Sequence, residues 1–139
     1  MGLCVQIGGN GGIYFKINMG KLITGNLDER VALHPETRGW FLGCFMSKYP
    51  DFLSNEVEMK WDKFKKGFKK SGLFTKTATK TFTILISGKF IIKYPKFNQE
   101  AVLSKQGDFV FYDASQTDHE SEALEDSLLF TIRYPSKRI

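Results

Sequence analysis

Apolar and polar residues alternate along most of this chain in short segments, which is the pattern of half-buried β-strands. Turn-forming residues separate these segments about every ten residues, as Ser87-Gly88 does between two of them. The clearest segments are residues 13–19, 40–46, 73–86, 89–95, 101–108, 109–112 and 128–135. This rhythm is typical of an all-β sandwich or barrel.

Residues 56–70 fit two patterns. In EVEMKWD, Val57, Met59 and Trp61 alternate with charged residues, which predicts a strand with those three side chains on one face. The same segment also has apolar residues at helical spacing, and Asn55 precedes it as a possible cap, so a basic amphipathic helix is the alternative. We interpret residues 57–61 as a strand, because strand patterns surround them and Gly67 weakens a helix.

Composition places the chain among globular proteins of one domain. It has 139 residues, of which 42% are hydrophobic and 25% charged, and these values exclude collagen-like, coiled-coil and wholly disordered proteins. The longest apolar run near the middle, residues 82–86, is too short to span a bilayer. Two cysteines and no segment resembling a signal peptide lead us to expect a cytoplasmic protein with reduced thiols and no membrane partner.

Charge is segregated along the chain, whose formal net charge is +5. Residues 60–80 hold eight lysines and one aspartate, interleaved with aromatic residues, a composition that suits phosphate or single-stranded nucleic acid. Residues 118–126 hold five acidic residues and no Lys or Arg, and they offer the basic stretch a counterpart within the protein or on another subunit. That counterpart disfavours nucleic acid as a partner. The alternative function is a non-catalytic interaction module that uses residues 60–80.

Three segments together resemble a small single-domain cupin: TFTILISGKF, QGDFVFY followed by a histidine, and EALEDSLLFTIRYPS. Gly88 stands at the closing glycine of the first cupin motif, Gly107 at the start of the second, and His119 near the histidine of the second. The resemblance implies a cupin-like double-stranded β-helix, or jelly-roll barrel, with extra N-terminal strands. It would be one domain, with N-terminal strands and loops over 1–56 and the barrel over 57–135. The family also implies a homodimer.

The metal ligands of the family are replaced here. Counting back from Gly88, the glutamate of the first motif falls on Thr81 and its two histidines fall on Thr77 and Thr75. Threonine hydroxyls are poor ligands for transition metals, and the chain has only two histidines. A substitute set drawn from His119, His34, Cys44 and Glu58 has no spacing to support it. We therefore predict no bound metal and no cofactor.

The resemblance and the residue types suggest a site for a small polar molecule. His119 is the candidate for proton transfer, with Tyr112 as its partner, and the acidic residues around His119 should raise its pKa. Thr75, Thr77 and Thr81 would contact the ligand only if their face of the strand points inward; the alternative core face is Phe82, Ile84 and Ile86. The aromatic residues that could line the pocket are Trp61, Trp40 and Tyr94.

The function predicted from these residues is binding of a small polar molecule in the barrel. Acid–base chemistry without a metal, as in an isomerase, epimerase or dehydratase, would use His119. A lipid-binding β-barrel is a further alternative, because the length and the phenylalanine content also suit it.

Overall fold

The structure is a computed structural model that describes residues 3–7, 13–17, 22–71, 79–113 and 118–136. Within these ranges the chain is mostly β-strand, which confirms the all-β prediction. The strands are β1 (Leu3–Ile7), β2 (Ile13–Ile17), β3 (Trp40–Leu42), β4 (Glu58–Phe64), β5 (Lys69–Lys70), β6 (Lys80–Ser87), β7 (Phe90–Tyr94), β8 (Gln99–Leu103), β9 (Phe109–Asp113), β10 (Glu120–Ala123) and β11 (Ser127–Tyr134). One helix, α1 (Leu27–Leu33), and three 3-10 turns at Pro35–Thr37, Pro50–Phe52 and Pro95–Phe97 accompany them.

Two antiparallel sheets form the body of the described fold. The larger sheet has the strand order β3-β4-β11-β6-β9, and the smaller has the order β5-β10-β7-β8, while β1 and β2 pair only with each other. The sheets bury a shared apolar core of Leu85, Phe90, Ile92, Leu103, Ala123 and Leu129. Because this core takes residues from both sheets, the two sheets face each other across one lumen.

The ambiguous segment after residue 56 is a strand, as predicted from its alternation. β4 pairs with β11 over its whole length, with Lys60 opposite Thr131 and Glu58 opposite Arg133. Long-range pairing of this kind excludes a helix over residues 56–70. Val57 precedes the strand, so the observed element begins one residue later than predicted.

The threonine face of β6 points inward. Thr79, Thr81, Thr83 and Leu85 are buried, whereas Phe82, Ile84 and Ile86 remain partly exposed on the outer face. Thr83 and Thr131 of β11 hydrogen-bond through their hydroxyls at 3.2 Å, which satisfies both inside the lumen. The structure thus settles which face of this strand is the inner one.

The turn between β6 and β7 requires glycine at position 88. Gly88 has a φ of 94°, and a Cβ atom there would lie 2.2 Å from the Asp126 carbonyl oxygen. Ser127 approaches the same point, with its Oγ 2.6 Å from that Cβ position, while its hydroxyl accepts a hydrogen bond from the Lys89 amide at 3.1 Å. The hairpin therefore depends on close backbone packing that only glycine permits.

Two elements differ from the sequence-based expectation. The polar segment at residues 26–30 lies outside the strand pattern and begins the helix α1, because the Asn26 side chain accepts a hydrogen bond from the Glu29 amide at 3.2 Å and caps the helix. The acidic segment 118–126 contains a strand, β10, that its composition did not indicate. β10 lies between β5 and β7, where Glu122 pairs with Lys69 at 3.6 Å.

Candidate functional site

Polar side chains gather at one end of the lumen, opposite the apolar core. The pairing registers of β4, β11, β6 and β9 bring alternate residues of the larger sheet to the inner face, because side chains on neighbouring strands share a face at paired positions. The smaller sheet adds residues from β5, β7 and the segment before β10. We call this set the polar end: Glu58, Lys60, Asp62, Lys70, Thr81, Thr83, Tyr94, Tyr112, His119, Thr131 and Arg133.

His119 lies between two tyrosines at the polar end. Its ring centroid is 5.1 Å from that of Tyr112 and 6.2 Å from that of Tyr94, and the two tyrosine rings meet edge to face at 5.5 Å. Tyr112 comes from the larger sheet and Tyr94 from the smaller one, so the three rings span the lumen. The predicted proximity of His119 and Tyr112 is thus present in the fold.

The expected rise in the His119 pKa is wrong. Burial lowers the pKa of His119 below its ordinary value, and the nearby Lys70 and Arg133 lower it further, while Asp118 only partly opposes them. Two of the three charged groups that act on the ring are thus cations, although the charged neighbours in sequence are acids. His119 is therefore a neutral imidazole near neutral pH, which suits a resting base rather than an acid.

The two tyrosines have different hydrogen-bond states. Tyr112 shares a side-chain hydrogen bond with Thr81, while burial raises its pKa. The Tyr94 hydroxyl is buried and has no hydrogen-bond partner among the described residues. Burial also raises the pKa of Tyr94, so the phenol stays protonated. An unpaired hydroxyl at a buried position costs free energy unless a bound molecule or water supplies a partner.

A buried ion pair forms one wall of the polar end. Glu58 is 3% exposed, and its carboxylate accepts hydrogen bonds from Arg133 Nε and, at 3.0 Å, from the Ser136 hydroxyl. Ser136 in turn accepts a bond from the Cys44 amide at 2.9 Å. The Arg133 guanidinium also stacks on Trp40, with 4.4 Å between Cζ and the ring centroid. These contacts hold the guanidinium in one place.

Two lysines at the polar end are in different surroundings. Lys60 forms an ion pair with Asp62, whose pKa is nevertheless raised because burial outweighs the attraction of the lysine. Lys70 is on the edge strand β5 and has no ion-pair partner within the part of the chain that the structure describes. Its pKa is lowered by desolvation and by repulsion from Lys60, Arg133 and Arg38, and attraction to Asp62 only partly opposes this. Positive charge therefore accumulates here.

Most of the predicted site residues come together, but not all. Four of them lie together at the polar end: His119, Tyr112, Tyr94 and Thr81. Trp40 stacks on Arg133, which belongs to the same end. Trp61 is on the other face of β4, where its Nε1 donates to Asp28 at 2.8 Å and its ring packs near Phe130, so it does not line the lumen. The structure does not describe residues 72–78, so Thr75 and Thr77 lie outside the described residues.

Sequence reasoning missed the charged members of the polar end. Glu58, Lys60 and Asp62 alternate with Val57, Met59 and Trp61, and we assigned the binding role to the aromatic side of that alternation. The available signal was the spacing itself: charged residues at every second position of a barrel strand form one face, and that face can be the inner one.

Four of the eight lysines in the basic stretch have acidic partners among the described residues. Lys63 pairs with Asp28 at 2.8 Å and Lys65 with Asp126 at 3.6 Å, in addition to the pairs of Lys60 and Lys69. The acidic segment 118–126 supplies two of these partners, so it is the internal counterpart that its charge suggested. These pairs weaken the alternative of an interaction module based on residues 60–80.

Solved structures provide the comparison for this arrangement of strands. KdgF from Halomonas sp. superposes with a TM-score of 0.52 at 21% identity, over 60% of this chain and 74% of that one. Ectoine synthase from P. lautus superposes with a TM-score of 0.59 at 14% identity, over 82% and 78%. An RmlC-like cupin protein from Desulfovibrio desulfuricans gives 0.50 at 15% identity, over 59% and 74%.

The chain has a cupin fold. The resemblance drawn from Gly88, Gly107 and His119 is thereby confirmed at the level of the fold, and the fatty-acid-binding type of barrel is set aside. No protein-family model matches the sequence, and no curated protein matches it. None of the described helices is long and apolar enough to cross a membrane.

The donors at the polar end do not fit the metal that cupins usually hold. Within the described ranges, no three His, Cys, Asp or Glu side chains come close enough to share an ion. Glu58 and Asp62 are already engaged by Arg133 and Lys60, and Thr81 occupies the position of the family's glutamate. The cations beside His119 would also repel a divalent metal.

Proposed function

We propose that this protein binds a small polar molecule at the polar end of its cupin lumen. The observation that carries the proposal is the buried Tyr94 hydroxyl, which lacks a hydrogen-bond partner among the described residues and lies beside His119 and Tyr112. A hydroxyl or carbonyl group of a ligand would supply the missing partner. Trp40, stacked on Arg133, offers an aromatic surface next to the same space.

We further propose proton transfer by His119 as the chemistry of the site. A neutral imidazole can accept a proton from a carbon of the ligand, and the Tyr94 or Tyr112 hydroxyl can donate a hydrogen bond to the oxygen on which negative charge develops. The imidazolium then returns the proton to the opposite face of the same carbon after the planar intermediate has turned over in the site, to the neighbouring carbon, or to a departing hydroxide that leaves as water. These three outcomes correspond to an epimerase, an isomerase and a dehydratase.

Two measurements test the proposal. A panel of small polyols, hydroxy acids and sugars is screened for ligands that raise the unfolding temperature, and each ligand is then incubated with the protein in D2O. We expect at least one ligand whose affinity falls in the Tyr94→Phe variant, and a carbon-bound proton that exchanges with solvent only when His119 is present. Binding that is unchanged in Tyr94→Phe would contradict the binding site. Equal exchange in His119→Gln would contradict the proton-transfer role and leave a binding protein.

We also propose a homodimer in the cytoplasm. Phe109 and Phe111 of edge strand β9 are 59% and 49% exposed, and Phe109 stacks on Phe82 at 4.8 Å on the outer face of the larger sheet. An exposed aromatic face at a sheet edge favours association with another copy. The free thiol of Cys44 supports a reducing compartment. Sedimentation of a Phe109→Ser/Phe111→Ser variant tests the dimer, which should become a monomer.

A further inference from the structure

The polar end contains more cations than the carboxylates facing it can neutralise. Its inward-facing charged residues are three cations, Lys60, Lys70 and Arg133, and two carboxylates, Glu58 and Asp62. Both carboxylates are engaged: Glu58 with Arg133 and Asp62 with Lys60. One positive charge therefore remains, and it belongs to Lys70.

Other charged groups nearby do not remove this excess. Asp113 neighbours Tyr112 in β9 and so lies on the outer face by alternation, but its charge acts on Tyr94, and the exposed Asp118 acts on His119. The carboxylate whose charge acts on Lys70 is Asp62, which is already paired with Lys60. Arg38 is close enough to Lys70 to act on it, and it adds to the repulsion rather than relieving it. Lys70, Lys60 and Arg133 repel one another at close range, and an anion between them would relieve that repulsion.

We propose that the ligand of this lumen carries a single carboxylate, which is held by Lys70 beside the anchored Arg133, and hydroxyl groups that reach Tyr94. This inference rests on the proposed function and names its substrate class: small hydroxy acids. A phosphate monoester fits less well, because it carries about two negative charges and would leave one of them uncompensated. The ligand's hydroxyl groups are assigned to Tyr94 because the buried hydroxyl of this residue needs a neutral polar partner.

Lys69 provides a matched control for Lys70. The two residues are adjacent in β5, and alternation sends their side chains to opposite faces. Lys69 pairs with Glu122 at 3.6 Å, away from the lumen. Lys69→Met and Lys70→Met therefore change the net charge equally, while only the second removes a cation from the polar end. Lys70→Arg retains that cation.

The test compares acids with neutral molecules of the same shape. Sodium D-glycerate is paired with glycerol, and sodium D-gluconate with D-glucitol; inorganic phosphate is the third probe. Binding is measured by calorimetry and by the emission of Trp40 in a Trp61→Phe background, where Trp40 is the remaining tryptophan of the two in the chain. Trp40 reports on the site because it stacks on Arg133.

We expect at least one acid to bind about tenfold or more tightly than its neutral counterpart, which is the effect of one favourable ion pair. Lys70→Met should abolish that preference, whereas Lys69→Met and Lys70→Arg should keep most of it. Equal affinity for acid and neutral molecule, an unchanged preference in Lys70→Met, or tighter binding of phosphate would each overturn the inference.

The same data separate this inference from the proposed function. If glycerol or glucitol changes the Trp40 emission and the acids bind no better, a polar-molecule site exists and the carboxylate assignment is wrong. If no probe binds at concentrations up to about 10 mM, the hydroxy-acid class is excluded. The wider ligand panel then decides on the proposed function.

Discussion

Replacing Glu58 by glutamine should destabilise the protein strongly, because it removes the only negative charge in contact with the Arg133 guanidinium among the described residues. The Glu58 side chain is 4% exposed and that of Arg133 is 22% exposed. Breaking one side of a buried ion pair costs about 3–5 kcal/mol. Partial exposure and stacking on Trp40 reduce the cost for Arg133, so we expect about 3 kcal/mol.

A loss of this size would be clear in urea unfolding and in thermal unfolding, where it corresponds to roughly 10 °C for a domain of this length. Glu56→Gln is the control, because Glu56 is exposed and close in sequence; it should change stability by less than about 0.5 kcal/mol.

The double variant Glu58→Gln/Arg133→Met provides the decisive comparison. It removes the unpaired cation, so it should be more stable than the sum of the two single losses by about 2 kcal/mol. A loss below about 1 kcal/mol in Glu58→Gln, or additive losses in the double variant, would refute the view that the ion pair is a coupled buried unit.

Three further predictions follow from single contacts. Tyr94→Phe should leave the free energy of unfolding in urea unchanged or raise it by up to about 1 kcal/mol, because it deletes an unsatisfied hydroxyl; a clear loss of stability would indicate a missing partner. Because the folded His119 pKa is below its ordinary value of 6.5, the folded state binds the proton less readily than the unfolded one. The unfolding free energy should therefore decline as the pH falls below about 6.5, and a His119→Gln variant with the same slope would contradict this. Gly88→Ala should cost at least about 2 kcal/mol more than Gly107→Ala in thermal unfolding, since both have positive φ but only Gly88 faces backbone at 2.2 Å; equal losses would refute the packing argument.

The strand segments could be read from the sequence because alternation is a local property. Residues 89–95 and 109–112 were predicted as strands, and the structure has β7 (Phe90–Tyr94) and β9 (Phe109–Asp113) there. The likeness to cupins was drawn from Gly88, Gly107 and His119. A hairpin glycine and the spacing of a motif can be recognised even where the metal ligands have been replaced. These signals require only neighbours along the chain.

The composition of the lumen depended on the tertiary structure. Alternation showed that Glu58, Lys60 and Asp62 share a face, but only the packing of the second sheet made that face the inner one. These three charged residues are tolerated on the inner face because each has an ion-pair partner. Glu58 pairs with Arg133, which is 75 positions away in the sequence, and Lys60 pairs with Asp62. Pairing over such a distance has no signal in a single sequence.

The pKa of His119 could not be predicted from the sequence for the same reason, because it depends on residues that are distant along the chain. Its neighbours in sequence include Asp118, Glu120 and Glu122, which predicted a raised pKa. The fold instead buries the ring and places Lys70 and Arg133 near it, which lowers the pKa. Electrostatic energy depends on distance in space and on desolvation, and both are set by which strands pair and which sheet faces pack. The sequence by itself determined where most of the strands run, with β10 as an exception, and the tertiary structure decided which charges the imidazole meets.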